Sequence, residues 1–359
     1  MPAIRLRDRD ALITKEGLIF RVFGYSHPSE ALVCDLEYAP SELFKSDNPK
    51  APRTSKKQNV FYKFYEDEGW KFLRDAFPKY LITHDMLQSE TISVKQSDVS
   101  EVRRPNEILK KLVTEKPSDE LVAEMQDALK HVTQCSGLST KDFGVFGSML
   151  HDFHHPKLSD IDLVIYGRTK AARLCETLQR LYKEKGSLLK NEFDTNEAIR
   201  GKRWRFQNLS PEEFVWHQRR KMIYALFNHA RSGRTIKTEF EPVKDWPEII
   251  NDYDPTARIV QKGWVKMTAC IMDDSDAAFI PSVYRIRPVK VIDGVDCAAE
   301  VARVISYVEE FRMQVRNREA VYVEGNLEEI TGRQGSFHQI ALTCCPRYYE
   351  QVLKSINTD

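Results

Sequence analysis

Hydrophobic and polar positions alternate along the first hundred residues as they do in β-strands. Apolar, β-branched and aromatic residues fill positions 17–25 and 31–38, and turn-forming residues occupy 26–29. Two such runs with a turn between them predict a β-hairpin. Aromatic side chains cluster at 61–70, which indicates a packed core. The polar stretch 89–105 has few large apolar groups and is predicted to be a linker.

Helical spacing of apolar residues marks the middle of the chain. After Pro117, Ser118 is a candidate cap, and apolar residues recur at helical spacing over 121–132. A second helix is predicted around 171–181 by the same pattern. Residues 210–213 read Ser-Pro-Glu-Glu, a capping-box sequence that predicts the start of a third helix.

Short strands are predicted between and after these helices. Residues 143–146 and 160–166 read as strands in the middle of the chain. Beyond Pro255, strand-rich segments follow one another to about residue 327, although 298–308 could instead be helical. A small antiparallel barrel or sheet is the simplest closure for this C-terminal run.

Composition excludes several classes of protein. The chain has 359 residues, 54 Lys plus Arg, 53 Asp plus Glu, and 42% hydrophobic residues. That length predicts two or three domains, and the apolar fraction excludes a disordered or fibrous protein. No apolar run is long enough to span a bilayer, and charges interleave in the first twenty residues. We therefore expect a soluble, non-exported, cytoplasmic protein with no membrane partner.

Seven cysteines are scattered along the chain without a C-x-x-C pair. Metal knuckles and disulfide frameworks both need local cysteine pairs at fixed spacing. We therefore expect reduced, mostly buried thiols, and cysteines are not the leading candidates for catalytic or binding residues.

Two aspartates are the first candidates for chemistry. Asp160 and Asp162 lie two residues apart in a predicted strand, so their side chains leave the same face. Two carboxylates aimed together require a cation, and Mg²⁺ or Mn²⁺ prefers oxygen ligands, phosphate oxygens included. Gly147 lets the main chain approach an anion, and Ser148 adds a hydroxyl and a main-chain N–H. Nucleotide phosphates and metal are expected to meet here.

The block 143–167 resembles the nucleotidyltransferase superfamily that includes DNA polymerase beta. That family's signature is a hydrophobic residue, Gly, and Gly or Ser, then a gap of roughly ten residues, then Asp, a hydrophobic residue, and Asp or Glu. Here 146–148 is Phe-Gly-Ser and 160–162 is Asp-Ile-Asp, with eleven residues between them. The likeness covers about 143–243. With its β-rich flanks, the whole chain is similar to uncharacterised predicted nucleotidyltransferases from archaea.

The resemblance implies roles for these residues. Gly147 and Ser148 would hold an incoming nucleoside triphosphate. Asp160 and Asp162 would be catalytic and would ligate Mg²⁺ or Mn²⁺. An acceptor hydroxyl would then attack the α-phosphate, and pyrophosphate would leave.

The family's third carboxylate, which holds one metal and helps activate the attacking hydroxyl, sits on a later strand of the same sheet. The best candidate in this chain is Glu239, in the segment 235–241. Glu241 on the same face is the alternative. The family more often has Asp at this position, and without an acid there catalysis would be in doubt while the fold would not.

Plainer explanations of the same residues stay open. A pair of acids in a strand is often only a surface feature. Gly147 and Ser148 would then form a helix cap and nothing more.

Histidines crowd the connection between the Gly-Ser turn and the aspartates. His151, His154 and His155, with Asp152, invite a zinc interpretation, but exposed loop residues or weak phosphate contacts are preferred because no cysteine lies nearby. His217 in the third helix is predicted to be packed or capping rather than a catalytic base.

Basic residues are concentrated over 200–237, where ten Lys and Arg accompany two Glu, a net of +8 in a chain of +1. This concentration is typical of a phosphate-binding surface for a triphosphate or a polynucleotide. Arg203 and Arg219 are the candidate nucleotide contacts, and Trp204 and Phe206 are candidates for base stacking. A solvated helix face whose charge is compensated elsewhere explains the pattern equally well.

We predict an α+β multidomain protein with a central nucleotidyltransferase-like mixed sheet with helices, flanked by β-rich N-terminal and C-terminal domains. The expected boundaries are 1–100, 105–250 and 255–350. The predicted function is metal-dependent transfer of a nucleoside monophosphate from a nucleoside triphosphate to a hydroxyl acceptor, with release of pyrophosphate. The acceptor, RNA, DNA or another molecule, is not specified by the sequence, and neither is the oligomeric state.

Two alternatives come from other classes of protein. The first is a non-catalytic nucleic-acid or nucleotide-binding protein on the same fold, acting through 200–237. Residues 255–359 carry thirteen basic and fourteen acidic side chains, so no electrostatic binding of nucleic acid is expected there. The second is an interaction partner that resembles the small antitoxins built on this fold.

Overall fold

A computed structural model describes residues 4–333 and 335–356. Contacts within the chain separate two compact units. The first contains the chain up to His84, Ser89–Leu189 and Leu226–Tyr253, and the second contains Asp85–Gln88, Lys190–Ala225 and the chain from Asp254. Each unit is therefore assembled from separate stretches of sequence. The division into three domains stays a prediction.

The first hundred residues form an antiparallel eight-stranded sheet with one helix. The elements are β1 (Ala11–Thr14), β2 (Ile19–Val22), β3 (Ala31–Pro40), β4 (Pro52–Thr54), β5 (Val60–Lys63), α1 (Glu68–Ala76), β6 (Leu81–His84), β7 (Ser89–Lys95) and β8 (Val99–Arg103). The strand order is β4-β5-β3-β2-β1-β8, and β7 pairs with both β3 and β6. The predicted hairpin is confirmed, because β2 and β3 pair antiparallel.

The linker prediction for 89–105 is wrong. Strand β7 pairs with β3 and buries Ile92 and Val94, and β8 pairs with β1. These strands bury few apolar side chains each, so their composition resembles that of a loop. The aromatic cluster does pack a core, since Phe64 is buried among apolar neighbours that include Trp70.

A mixed sheet with helices follows. Its elements are α2 (Pro105–Thr114), α3 (Glu120–Ser136), β9 (Phe143–Val145), α4 (Gly147–Leu150), β10 (Ile161–Tyr166), α5 (Arg168–Lys183), β11 (Leu189–Asn191), α6 (Pro211–Lys221), β12 (Tyr224–His229) and β13 (Arg234–Val243). The order is β11-β12-β13-β10-β9, with β10 parallel to β13 and antiparallel to β9. The predicted mixed sheet is thus present, and the division between the units falls within β11 and β12.

Side-chain caps set the starts of two helices. The carboxylate of Asp119 accepts from the Val122 N–H at 3.1 Å and caps α3, so the cap is not Ser118. Ser118 instead donates to Asp119. The capping box predicted for α6 is confirmed: Ser210 accepts from the Glu213 N–H at 3.2 Å, and Glu213 accepts from the Ser210 N–H at 2.7 Å.

The C-terminal part of the second unit is a closed barrel with one added strand. The strands are β14 (Arg258–Asp276), β15 (Ser282–Asp293), β16 (Val301–Ser306), β17 (Ala320–Gly332), β18 (Gly335–Leu342) and β19 (Val352–Ser355). The order is β14-β15-β16-β18-β17-β19, and a β14–β17 pairing closes the ring. The predicted barrel is present, but β16 and β18 pair parallel rather than antiparallel. The helical alternative for 298–308 is wrong for most of its length, because β16 occupies it.

Two predictions from composition meet different outcomes. All seven cysteines are free, but only Cys34 is buried, and Cys344 is exposed, so the expectation of mostly buried thiols is wrong. Within the described ranges, no helix combines the length and the apolar character needed to cross a bilayer.

Candidate active site

The turn after β9 brings the main chain against an aspartate of β10. Gly147 has a φ of +61°, a left-handed conformation that favours glycine. A Cβ at this position would overlap the Asp162 carboxylate. The Phe146 N–H donates to the Asp162 carbonyl at 3.0 Å and ties the turn to the strand. Asp162 therefore lies directly on the turn that was predicted to hold phosphate.

The helix-cap explanation of the Gly-Ser turn is wrong. Phe146 occupies the N-cap of α4, and no side chain caps that helix. Ser148 is the second helical residue and is half-buried. Its carbonyl accepts from the Phe153 N–H at 2.8 Å, which fixes the start of the following connection.

The parallel neighbour of β10 supplies further carboxylates. Asp162 is in register with Glu239, and Val164 is in register with Glu241. Residues in register on adjacent strands point to the same face of a sheet, so Asp162 and Glu239 are lateral neighbours. Asp160 immediately precedes β10 and is exposed.

Glu241 is engaged by a buried arginine. The Arg9 guanidinium donates to the Glu241 carboxylate, and both side chains are almost fully buried. The same guanidinium lies 5.6 Å from the centre of the Phe146 ring, next to the Gly147 turn. Glu241 thus has a structural partner, whereas Glu239 lies beside Asp162 and is only half-buried.

Negative charge accumulates at Asp162. Its pKa is raised from 3.8 to about 7, chiefly by burial and in smaller part by the carboxylates of Asp160 and Glu241, while Lys63 and Arg9 oppose the rise. A carboxyl group with this environment is stabilised in its ionised form by a nearby cation. The donor set therefore suits a hard divalent ion.

The protein does not supply a complete metal cage. Among residues 4–333 and 335–356, no three His, Cys, Asp or Glu side chains are grouped closely enough to hold a metal ion alone. Mg²⁺ usually keeps several waters and binds through one or two carboxylates plus substrate phosphates. An incomplete set of carboxylates beside the Gly147 turn fits that mode of binding.

Comparison with known proteins agrees with this geometry. Residues 128–226 match the nucleotidyltransferase domain family. The match includes the Gly147 turn and both aspartates but ends before β13. The predicted resemblance is confirmed.

A relative matches almost the whole chain. The Uncharacterized protein MJ1086 of Methanocaldococcus jannaschii is 28% identical over 339 residues, which cover 92% of this chain and 93% of that protein. This likeness agrees with the predicted similarity to uncharacterised archaeal proteins. No solved structure matches the chain.

The N-terminal sheet contributes residues to the candidate site that sequence analysis missed. Lys63 of β5 and Tyr38 of β3, which are in register, both interact electrostatically with Asp162. Arg9 precedes β1 and reaches Glu241, 232 residues away in sequence. The sequence signal for Arg9 is the dense run of charges before the first strand.

The histidines of the connection are mostly buried, contrary to the preferred interpretation. His151 packs edge-on against the Tyr38 ring at 5.4 Å, and burial lowers its pKa to about 3. His154 bonds the Asp119 carboxylate at 3.0 Å, and only His155 is exposed. In the second unit His217 is buried and bonds the Gln314 carbonyl at 2.9 Å, so its packed role is confirmed.

The basic segment 200–237 is divided between the two units. Arg203 is exposed in the second unit, whereas the Arg219 guanidinium donates to the carbonyls of Phe193 and Asp194 at 2.9 and 3.1 Å. Others are held within their own unit: Arg220 by Glu319, Lys221 by the Glu310 carbonyl, Arg231 by Asp127 and Arg234 by Glu124. Nucleotide binding by Arg203 and Arg219 stays a prediction.

The aromatic residues of the same segment have a packing role. Trp204 and Phe206 pack against the apolar core of the second unit. The Trp204 indole N–H also donates to the Leu209 carbonyl at 2.7 Å. These contacts favour a structural role over base stacking for both rings.

Replacing Arg9 is expected to destabilise the first unit. In Arg9→Met, Glu241 would stay buried without its countercharge, and loss of one partner of a buried ion pair costs about 3–5 kcal/mol. Chemical denaturation measures the free energy of unfolding. The control Arg5→Met changes an exposed arginine and should cost less than about 1 kcal/mol.

A second substitution separates the ion pair from simple loss of packing. Arg9→Met/Glu241→Met replaces both charges and should recover part of the lost stability, because the unpaired Glu241 charge is removed, while the buried Asp8 carboxylate, 3.8 Å from Arg9, still loses that countercharge. If Arg9→Met costs no more than Arg5→Met, the buried pair does not stabilise the unit.

Proposed function

We propose that this protein is a metal-dependent nucleotidyltransferase that transfers a nucleoside monophosphate from a nucleoside triphosphate to a hydroxyl acceptor and releases pyrophosphate. The observation that carries the proposal is the Asp162 carboxylate seated on the left-handed Gly147 turn, inside a region that matches the nucleotidyltransferase domain family. Glu239 lies in register beside Asp162 on the neighbouring strand.

Each residue of the site has a proposed task. Gly147 leaves room for the Asp162 carboxylate next to the main chain, and the Ser148 hydroxyl would donate to a phosphate oxygen. Asp160 and Asp162 would hold the metal from one strand. Glu239, on the other strand, would accept the proton of the acceptor hydroxyl and add to the metal's ligands, which phosphate oxygens of the nucleotide would have to complete, because the acids alone are not grouped closely enough. Bound Mg²⁺ or Mn²⁺ would neutralise charge on the entering and leaving oxygens of the displacement.

The N-terminal sheet supports the proposed reaction. Arg9 fixes the Glu241 carboxylate, so that this acid does not compete for the metal. Lys63 places positive charge near Asp162, on the side of the site formed by β5. Both residues thereby limit the repulsion among the carboxylates before nucleotide arrives.

The fate of labelled α- and γ-phosphates tests whether nucleotidyl transfer takes place. The full chain is incubated with Mg²⁺ or Mn²⁺, an acceptor mixture, and ATP, CTP, GTP or UTP labelled at either the α- or the γ-phosphate. Transfer predicts that α-label becomes attached to an acceptor or to the protein, while γ-label leaves in pyrophosphate. Release of γ-label as inorganic phosphate, with no α-label transferred, would identify hydrolysis and reject the proposal.

Two glutamates of β13 should respond differently to substitution. Glu239→Gln is expected to lower kcat/KM by about 10²-fold with the fold intact, because it removes a ligand and a proton acceptor. Glu241→Gln is expected to lower the free energy of unfolding, because it changes the partner of Arg9. Steady-state kinetics and denaturant unfolding on both variants provide the measurement. Full activity in Glu239→Gln would remove this residue from the site.

A further inference from the structure

The barrel of the second unit has a recognisable strand order. Around the barrel the strand order is β14-β15-β16-β18-β17, and β17 pairs with β14. Counted along the chain, the third strand (β16) and the fifth (β18) pair parallel. Five-stranded Greek-key barrels of this kind, the OB-folds, bind oligonucleotides and oligosaccharides across their second and third strands. A fold alone does not assign a ligand, so the side chains on that face must decide.

Arginines line the outer face of the second and third strands. Tyr284 and Val304 are in register and belong to the barrel core, so the next pair, Arg285 and Arg303, faces outward. Arg287 follows two residues after Arg285 on the same strand. Arg285 and Arg287 are both exposed.

An aromatic ring extends this surface onto the fifth strand. The Arg303 guanidinium lies 4.8 Å from the centre of the Phe337 ring on β18. It also donates to the Gln339 side chain at 2.8 Å, which holds it across the two strands. Phe337 is 36% exposed, so part of its ring is accessible to a ligand.

Acids lie beside two of the three arginines: Glu328 interacts electrostatically with Arg303, and Asp273 lies across from Arg285. Glu328 accepts from Gln339 at 2.8 Å and from Gln261 at 2.7 Å, so both of its oxygens are engaged. Asp273 of β14 is in register with Arg285, and Glu300 lies 3.8 Å from His338 at one end. These acids partly balance the arginines, but Arg287 is exposed and has Cys270 rather than an acid in register with it.

We propose that this barrel face, defined by Arg285, Arg287, Arg303 and Phe337, binds single-stranded nucleic acid. The exposed guanidiniums of Arg285 and Arg287 would contact phosphates. The stacked Arg303 and Phe337 would offer a flat platform for a base, since stacking on arginine and aromatic planes tolerates any sequence. The mixture of arginine and aromatic side chains favours a polyanion with bases over a neutral saccharide.

The inference goes beyond the proposed transfer reaction. Binding at the barrel face uses neither Asp160 nor Asp162 and requires no metal. The binding proposal can therefore be tested independently of the catalytic assignment. Where both hold, the barrel would capture the strand whose hydroxyl serves as acceptor.

Fluorescence anisotropy with the full chain tests the barrel face. The probes are labelled single-stranded RNA and DNA oligonucleotides of mixed sequence, with EDTA present and salt varied. Arg285→Ala/Arg287→Ala is expected to weaken binding at least about tenfold at low salt. Loss of two phosphate contacts should also reduce the slope of log K against log salt by about 1.4, at about 0.7 per contact for single strands.

The aromatic platform has a different signature. Phe337→Ala should weaken binding about tenfold and leave the salt slope unchanged, because stacking releases no counterions. Phe337→Tyr keeps a ring and should bind as the unchanged protein does. Thermal unfolding of each variant verifies the fold.

A matched control decides whether the effect is local. Arg180→Ala/Lys183→Ala removes two exposed positive charges from α5 in the first unit and should leave binding unchanged. Tighter binding of RNA or of DNA identifies the preferred sugar, and either supports the proposal. An equal loss in the control, no binding by the unchanged protein at low salt, or equal competition by duplex of the same length would overturn it.

Discussion

Asp162→Asn is expected to lower nucleotidyl transfer by about 10³-fold or more, because the amide cannot replace a charged metal ligand on the Gly147 turn. The same substitution should not destabilise the protein. Folding raises the pKa of Asp162 from 3.8 to about 7, so the ionised carboxylate is disfavoured in the folded state. Transfer of α-label and denaturant unfolding, measured on one preparation, test both expectations.

The sign of the stability effect follows from proton linkage. The folded protein binds more protons than the unfolded chain between about pH 4 and pH 7, so its free energy of unfolding falls as pH rises through that window. Asp162→Asn removes this contribution. We expect the variant to be more stable at pH 8 by on the order of 1 kcal/mol after solvent screening.

Controls separate the site from its surroundings. Asp75→Asn makes the same chemical change at an exposed position of α1 and should alter neither activity nor stability. If Asp162→Asn keeps full transfer activity, the two aspartates do not hold the metal and the catalytic proposal fails. If it loses both activity and folded structure, the raised pKa of Asp162 does not describe the folded protein.

Gly147→Ala is expected to reduce activity by about 10²-fold and to lower the free energy of unfolding by about 1–3 kcal/mol. Two causes combine. The left-handed φ of +61° is unfavourable for alanine, and the new Cβ would displace the Asp162 carboxylate. Kinetics at saturating nucleotide and chemical denaturation measure the two effects.

A second glycine separates the effect of the overlap between the new Cβ and Asp162 from the effect of backbone strain. Gly186 has a φ of +82°, and a Cβ there would meet nothing within 4 Å. Gly186→Ala should therefore cost about 1 kcal/mol of stability and no activity. Equal activity in Gly147→Ala and Gly186→Ala would show that Asp162 does not depend on the turn.

Local signals predicted the elements that carry the candidate residues. The Phe-Gly-Ser turn follows β9, Asp160 and Asp162 lie at the start of β10, and the later strand that the family resemblance implied carries Glu239. The first two depend on short windows of sequence, a glycine that the backbone requires and an apolar run typical of a buried strand. The structure adds the register of Asp162 with Glu239, and the choice between the two acids of β13 stays a prediction.

Long-range partners account for most of what was missed. Arg9 looks like a solvated charge until Glu241 pairs with it, and no local pattern connects them. The polar segment 89–105 becomes a pair of strands only because β3 and β1 offer edges to it. The barrel face was hidden for a related reason. A net charge summed over 255–359 averages across faces that the fold separates.

The position of β13 limits how the protein can be shortened. The match to the nucleotidyltransferase family stops at residue 226, yet β13 lies between β10 and β12 in the sheet. A fragment cut at the family's borders would lose β13 and the second half of β12, and the main-chain donors and acceptors along that edge of β10 would be exposed. A minimal catalytic fragment must therefore extend at least through Val243, and the Arg9 partner of Glu241 argues for keeping the N-terminal strands as well.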